Sequence, residues 1–217
     1  MFTDFLLLGG GPASVSAAER LRAEGARGSI LLVSDQVCVP YGRTYLSKQF
    51  LMGALPKEKL LIHSEAYYRE QAIDIMLGVL VVAVDTTNRL GRTDRAGDIH
   101  FDKLLIATGT RPIRPTITGS TLPGIHYLHT LADAESLRQA AKNATRVVVL
   151  GGSFLGVETA TSLARMGSHV VLIEENDSCF HNLPLLNCPP SSAASARNEE
   201  SNCARKTPPP PSKAAAA

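Results

Sequence analysis

The stretch LLLGGGPASVSAAERL, from Leu6 to Leu21, places three glycines directly after an apolar run. A second stretch, VVVLGGSFLGVETATSLARMGSHVVLIE, from Val147 to Glu174, repeats the arrangement. In both, the apolar run predicts a buried strand, and apolar residues at helical spacing behind the glycines predict a helix. A further apolar run follows each helix, at Ile30–Val33 and up to Ile173. Each stretch therefore predicts a strand–helix–strand unit with parallel strands and a right-handed crossover.

The first glycine turn has the composition of a dinucleotide-binding site. A chain that turns from strand to helix beside a pyrophosphate needs residues without a Cβ, and Gly9 and Gly11 occupy those places. The N-terminus of the helix then offers unpaired N–H groups and the positive end of its dipole to phosphate. Ser14 takes the third place, where helix and strand pack closely. A glycine-rich turn without a ligand is the alternative interpretation of this unit taken alone.

The second unit carries Gly151, Ser153 and Gly156 at the same three places. Glu174 closes its second strand, about twenty residues on, at the position of the ribose-binding acid of the dinucleotide fingerprint. A carboxylate there accepts hydrogen bonds from the ribose hydroxyls and repels a 2′-phosphate, which favours NADH over NADPH. The first unit has Ser34 at this place with Asp35 beside it, so Asp35 is either a ribose ligand or a turn residue.

Composition argues against several other classes of protein. The chain has 217 residues, 44% of them hydrophobic, and a formal net charge of +2. This content suffices for a buried core, and the scattered charges do not suggest a surface for nucleic acid. No stretch has the length and apolarity of a membrane span or the pattern of a signal peptide. The four cysteines show no metal-ligand spacing, so we expect a reducing, cytoplasmic environment and no metal.

The region between the two units predicts a small antiparallel excursion, in which strands leave the parallel sheet and return to it, followed by a connector between domains. A β-branched run at Val79–Val84 and a strand at Leu104–Ala107 flank a polar, turn-rich segment. The proline-punctuated stretch Arg111–Pro123 marks a domain crossing. Beyond Glu175 the chain is rich in Pro, Ser and Ala, which predicts disorder.

Two further motifs resemble those of a known family. They are VPYGRTYLSK, Val39–Lys48, and LLIATGTRP, Leu104–Pro112. With both glycine turns, they resemble the FAD-dependent pyridine nucleotide-disulfide oxidoreductases, in the branch of the ferredoxin, rubredoxin and putidaredoxin reductases and the apoptosis-inducing-factor-like flavoproteins. The resemblance covers about residues 5–174. It implies an α/β fold, with an incomplete Rossmann-like FAD-binding domain followed by the first βαβ unit of an NAD-binding domain.

The predicted domains are residues 1–112 for FAD, residues 113–175 for the start of the NAD(P)H-binding domain, and residues 176–217 for a disordered low-complexity tail. The resemblance implies that Asp35 binds the FAD ribose, Val82 contacts the adenine through its backbone, and Thr108 with Gly109 forms a turn beside the flavin. The residues implied for FAD are Gly9, Gly11, Pro12, Ala13, Ser14, Asp35, Arg43, Lys48, Val82, Ala107, Thr108, Gly109 and His129. Those implied for NAD(H) are Gly151, Ser153, Phe154, Leu155, Gly156, Glu158 and Glu174.

Two of these residues are predicted to be catalytic. The resemblance implies that Lys48, in the LSK triplet, lies near the flavin N5 and that Glu158, at the start of the NAD helix, pairs with it. An ammonium near N5 stabilises the electron-rich reduced flavin, and a carboxylate beside it holds the lysine in place. The alternative is a surface lysine and a helix glutamate that never meet. Arg43 is either a flavin-side contact or an ordinary loop cation.

The sequence departs from the family pattern at three places. Thr44 replaces a proline of the PYxRPxLSK pattern, which leaves the loop less constrained. His129 stands where relatives commonly carry an arginine that faces the FAD phosphates. Cys38 has no partner at CxxxxC spacing, which argues against disulfide reduction and leaves a packed cysteine or a lone peroxidatic thiol.

The implied function is an FAD-dependent oxidoreductase that passes hydride from NADH to FAD and electrons on to an iron–sulfur protein or a small-molecule acceptor. The family's remaining domains are not visible after Glu174, so we expect a truncated chain, in which activity is either retained or lost. A non-catalytic nucleotide-binding or interaction fragment is one alternative. A single-cysteine flavin peroxidase or oxidase that uses Cys38 is another. The sequence does not predict the oligomeric state.

Overall fold

The computed structural model describes residues 1–176, 178–180 and 202–203. The chain divides into two compact units. The first consists of Met1–Arg43 and Pro56–Arg114, and the second of Thr44–Leu55 and the residues from Pro115 onward. None of the described helices is long and apolar enough to cross a bilayer.

The first unit is built on a six-stranded sheet in the order β3-β2-β1-β6-β5-β4. Its strands are β1 (Phe2–Leu8), β2 (Ile30–Ser34), β3 (Ile73–Leu77), β4 (Val81–Asp85), β5 (Leu90–Thr93) and β6 (Ile99–Ile106), and its helices are α1 (Pro12–Ala23) and α2 (Glu65–Glu70). Strands β3, β2, β1 and β6 run parallel, whereas β4, β5 and β6 pair antiparallel. The predicted βαβ unit and the predicted antiparallel excursion are therefore both confirmed.

The apolar run of β1 is continuous because both faces of the parallel sheet are covered. Leu6 and Leu8 pack on one face with Leu31 and Val33 of β2. Leu7 packs on the other face, in the cluster that contains Val15 and Ala18 of α1. The helix thus lies against the sheet with its N-terminus at the carboxyl end of β1.

One arginine ties the end of α1 to two neighbouring segments. The Arg22 guanidinium donates hydrogen bonds to four backbone carbonyls. Two belong to the loop between α1 and β2, Ala26 at 2.7 Å and Gly28 at 2.8 Å. The other two directly precede β3, Gln71 at 2.9 Å and Ala72 at 2.6 Å. A planar guanidinium can donate in these several directions at once, which an ammonium cannot do with the same geometry.

The second unit contains a three-stranded parallel sheet in the order β7-β8-β9. Its elements are α3 (Leu131–Ala141), β7 (Arg146–Leu150), α4 (Phe154–Arg165), β8 (His169–Ile173) and β9 (Asn202–Cys203). The second predicted βαβ unit is therefore confirmed as β7, α4 and β8. Leu163 of α4 and Val170 of β8 lie in its core together with Leu51, which comes from the Thr44–Leu55 segment.

Strand β9 is a feature that the sequence did not predict. It lies within the predicted tail of residues 176–217, most of which is outside the described residues. The backbone of Asn202 and Cys203 pairs with Val171 and Leu172 of β8. Strands pair at the edge of β8 through backbone N–H and C=O groups. A low-complexity sequence therefore does not exclude pairing there.

Replacing Arg22 tests the link between α1 and β3. We expect Arg22→Ala to lower the free energy of unfolding by about 1–3 kcal/mol, because hydrogen bonds from a charged donor are lost. Arg22→Lys restores only part of this loss. Arg20→Ala is the matched control, since Arg20 is largely exposed and pairs with Glu24 on the same helix. Urea unfolding followed by circular dichroism measures all three, and equal midpoints for Arg22→Ala and Arg20→Ala would contradict the assignment.

Candidate functional site

The first glycine turn is closed on one side and open on the other. Gly9 has a φ of 115°, and a Cβ there would lie 2.2 Å from the carbonyl oxygen of Ala107. A Cβ on Gly10 would lie 2.5 Å from the hydroxyl oxygen of Ser34. At Gly11, by contrast, no described atom lies within 4 Å of the Cβ position. The turn therefore packs against the ends of β2 and β6 and leaves free space at the start of α1.

The N-terminus of α1 carries the features of an anion site. Its N-cap residue is Gly11, and no described side chain caps the helix. Helices α2 and α3 differ, because the Ser64 and Thr130 side chains accept hydrogen bonds from their first turns. The Ser14 hydroxyl is fully buried and has no hydrogen-bond partner among the described residues. Uncapped N–H groups and an open turn fit a pyrophosphate.

Most other residues predicted for FAD lie around this turn in the first unit. Asp35 directly follows β2 and is exposed, whereas Ser34 is buried and its hydroxyl accepts the N–H of Gln36. Ala107, Thr108 and Gly109 directly follow β6, and Gly109 has a φ of 73°. The carboxyl ends of β1, β2 and β6 therefore bring these residues to one edge of the sheet, which is where ligands bind in sheets of this kind.

For three further residues predicted to bind FAD, the position in the fold does not by itself indicate a ligand role. Val82 is exposed on β4, shortly after Val79, whose N–H donates to the carbonyl of Ser34. Arg43 begins a short 3-10 turn that ends at Tyr45. The backbone N–H of His129 donates to Asp133 just ahead of α3, at 3.1 Å. The ligand roles of Val82, Arg43 and His129 stay predictions.

The second glycine turn also has an open and a closed side, but here the first glycine is the open one. Gly151 has a φ of 104°, and no described atom lies near its Cβ position. A Cβ on Gly156 would lie 1.8 Å from the carbonyl oxygen of Gly151. Ser153 is the N-cap of α4, but its side chain makes no cap hydrogen bond. Phe154 and Leu155 open the helix with exposed side chains, and the Phe154 ring packs on Phe180 with centroids 5.1 Å apart.

Glu174 is held beside this second turn as a carboxylate. Its Oε2 accepts the backbone N–H of Gly152, and its Oε1 accepts the backbone and side-chain N–H groups of Asn176 at 3.0 and 2.7 Å. Hydrogen bonds from Asn176 and Gly152 hold the pKa of Glu174 below its usual value. The carboxylate is thus ionised and oriented at the end of β8.

The side chains predicted to form a catalytic pair contact each other within the second unit. The Lys48 Nζ donates to the Glu158 Oε1 at 2.7 Å, and both side chains are about two-thirds buried, with exposed fractions of 33% and 31%. The Ser47 hydroxyl donates to the other carboxylate oxygen at 2.6 Å. Burial raises the pKa of Glu158, but the hydrogen bonds from Lys48 and Ser47 outweigh it and leave the pKa below its usual value.

Four residues of these sites were not among the sequence predictions. Gly10 and Gly152 occupy equivalent places, and in each case a side chain at the end of the next strand fills the space of a Cβ. Aligning the two units residue by residue would have shown both. Ser47 and Ser162 join the Lys48–Glu158 pair by hydrogen bonds. Ser47 lies in the LSK triplet, but no sequence pattern indicated the role of either hydroxyl.

Comparison with known proteins connects these features to a family. The model of the pyridine nucleotide-disulphide oxidoreductases matches residues 3–193. The biphenyl dioxygenase system ferredoxin–NAD(+) reductase component of Paraburkholderia xenovorans is 37% identical over 177 residues, which is 82% of this chain and 43% of that protein. A rubredoxin–NAD(+) reductase of Pseudomonas putida is 34% identical over 169 residues, which is 78% of this chain and 44% of that protein. The chain thus spans less than half the length of these curated relatives.

Solved structures show the same likeness. In the covalent putidaredoxin reductase–putidaredoxin complex, the matching chain aligns with a TM-score of 0.84 at 28% identity, over 94% of this chain and 49% of that one. The ferredoxin reductase for the CYP199A2 system of Rhodopseudomonas palustris aligns with a TM-score of 0.87 at 27% identity, over 93% of this chain and 50% of that one. Since the family model spans most of the sequence and these relatives share the fold, the chain belongs to the pyridine nucleotide-disulphide oxidoreductase family.

Proposed function

We propose that this chain is the nucleotide-binding part of an FAD-dependent oxidoreductase that takes hydride from NADH and passes electrons to an iron–sulfur protein of the ferredoxin or rubredoxin type. The Lys48–Glu158 pair is the observation that carries the proposal. The pair fixes a partly buried ammonium group in a chain that also has two dinucleotide-type turns. The names of the ferredoxin and rubredoxin reductases that the chain resembles support the class of acceptor.

The first turn is the proposed FAD site. The N–H groups at the start of α1 bind the pyrophosphate, and Asp35 accepts hydrogen bonds from the ribose. Bound FAD supplies a ring that accepts a hydride and releases electrons singly, which no amino-acid side chain does.

Lys48 is the proposed electrostatic stabiliser of negative charge at the flavin N5. Glu158 is ionised over the neutral pH range, and hydrogen bonds from Lys48 and Ser47 hold its pKa below the usual value. The hydrogen bond to Glu158 holds the Lys48 ammonium in one place, so little reorganisation of this charge accompanies the reaction.

The second turn is the proposed NADH site. The Oε2 of Glu174 accepts one hydrogen bond and retains acceptor capacity, which allows a hydrogen bond from a ribose hydroxyl. The same charge opposes a 2′-phosphate at this place. We also propose a cytoplasmic location, since the four cysteines of the sequence show neither a CxxC pair nor a metal-ligand spacing.

The direct test of the proposed function is flavin reduction by the full chain. We expect the chain to retain added FAD and its visible absorbance to bleach on anaerobic mixing with NADH. Lys48→Ala should slow the bleaching by roughly tenfold to a hundredfold, because a charge that stabilises the reduced ring is lost. Lys59→Ala, which removes an exposed lysine from a turn of the first unit, is the matched control.

Three results would go against this proposal. Retained flavin that NADH does not bleach would exclude the oxidoreductase function, and a chain that binds no FAD would favour the non-catalytic alternative. A Lys48→Ala variant that is reduced at the wild-type rate would remove the role given to the lysine.

A second test concerns the choice of nicotinamide cofactor. We expect Glu174→Gln to reduce the preference for NADH over NADPH by about tenfold or more, because a like-charge repulsion is removed while an amide oxygen remains. The matched control is Glu175→Gln, which neutralises the adjacent exposed carboxylate. Dissociation constants from calorimetric titration give the ratio directly. If the ratio of the NADPH and NADH dissociation constants is equal for wild type and Glu174→Gln, Glu174 does not distinguish the two cofactors at the ribose.

A further inference from the structure

We propose that Ser47 and Ser162 are positioning residues that fix the Lys48–Glu158 pair through a chain of hydrogen bonds from α4 to the LSK triplet. The inference rests on the proposed function, since the position of Lys48 matters for electron transfer only if Lys48 acts on the flavin. All four residues belong to the second unit.

Ser47 supplies the second anchor of the Glu158 carboxylate. Its hydroxyl donates to Oε2 at 2.6 Å while the Lys48 ammonium occupies Oε1 at 2.7 Å. A lysine on a flexible stem, paired with a carboxylate that turns freely about its last torsion, has no defined position. With both oxygens bound to adjacent residues of one segment, the carboxylate cannot rotate without breaking a charge-assisted hydrogen bond.

Ser162 holds the backbone of the same segment. It lies one helical turn after Glu158 on the same face of α4, and its hydroxyl donates to the Ser47 carbonyl at 2.6 Å in a buried bond. The nearby hydroxyls of Thr159 and Thr161 donate instead to carbonyls of α4 itself, four residues back, as helical hydroxyls commonly do. Ser162 therefore differs from these two threonines by reaching out of the helix.

The rest of the segment is anchored independently of the two serines. The Leu51 side chain is fully buried in the core of the second unit. The Arg138 guanidinium of α3 lies over the Phe50 ring, 5.8 Å from its centroid. Because these contacts keep the segment in place, the bonds of Ser47 and Ser162 are expected to adjust the position of residues 47 and 48 rather than to retain the segment.

The test measures the charge state of Glu158 by carbon-13 NMR titration of the full chain without cofactor. Ser47→Ala should move the Glu158 pKa upward, because a hydrogen bond to the charged form is lost. Ser162→Ala should also raise the Glu158 pKa, because the Ser47 carbonyl loses the hydrogen bond that holds residue 47 in place. Ser162→Thr retains the hydroxyl and should restore the wild-type pKa. Thr161→Ala is the matched control, because its hydroxyl serves only α4. A purely structural role would lower stability and leave this pKa unchanged.

Flavin reduction by NADH in the FAD-loaded chain is the second measurement. Ser47→Ala and Ser162→Ala should each slow the bleaching by roughly tenfold through misplacement of Lys48, with the affinity for NADH unchanged. If the Glu158 pKa is unchanged in both serine variants, the positioning role is wrong. It is also wrong if the pKa shifts but the serine variants are reduced at the wild-type rate while Lys48→Ala is reduced slowly. If the pKa shifts but Lys48→Ala itself reacts at the wild-type rate, the proposed function of Lys48 fails, and with it the redox role of the serines.

Discussion

The close approach of backbone at the two strand-to-helix turns is the constraint on which the other features depend. At Gly9 a Cβ would lie 2.2 Å from the Ala107 carbonyl, and at Gly156 it would lie 1.8 Å from the Gly151 carbonyl. No rearrangement of a flexible side chain relieves contacts of this kind, because the obstructing atoms are backbone. The glycines therefore allow each helix to start directly beside the end of its strand, with its N–H groups uncapped by any described side chain.

The two turns share a geometry but differ in the side chain that follows the next strand. In the first unit the space of a Cβ on Gly10 is filled by the neutral hydroxyl of Ser34, and the acid Asp35 is the exposed neighbour. In the second unit the same space at Gly152 is filled by the ionised carboxylate of Glu174, which the Gly152 N–H also orients. Equivalent backbones thus present different acceptors, which is how two such turns in one chain can select two different dinucleotides.

The sequence predicts the parallel core of both units because long apolar runs, glycines and helical periodicity all indicate the same elements. It does not predict β3, whose apolar residues are interrupted by Asp74, or β9, which lies in a stretch of low-complexity sequence. The placement of Lys48 beside Glu158 was predicted only from the resemblance to a family, since the two residues are far apart in the chain. Ser47 lies in the LSK triplet, but the sequence does not indicate the role of its hydroxyl or of the Ser162 hydroxyl, because that role depends on the partner that the fold provides.

The measurement that most directly tests the account is a map of backbone amide shifts in the full chain, recorded with FAD and then with NADH. The account predicts that FAD shifts the amides of Gly11 and Ala13 and that NADH shifts those of Gly152 and Ser153, with each ligand acting mainly on its own turn. Shifts confined to other surfaces, or the same turn responding to both ligands while the other stays unchanged, would contradict the assignment of two separate dinucleotide sites.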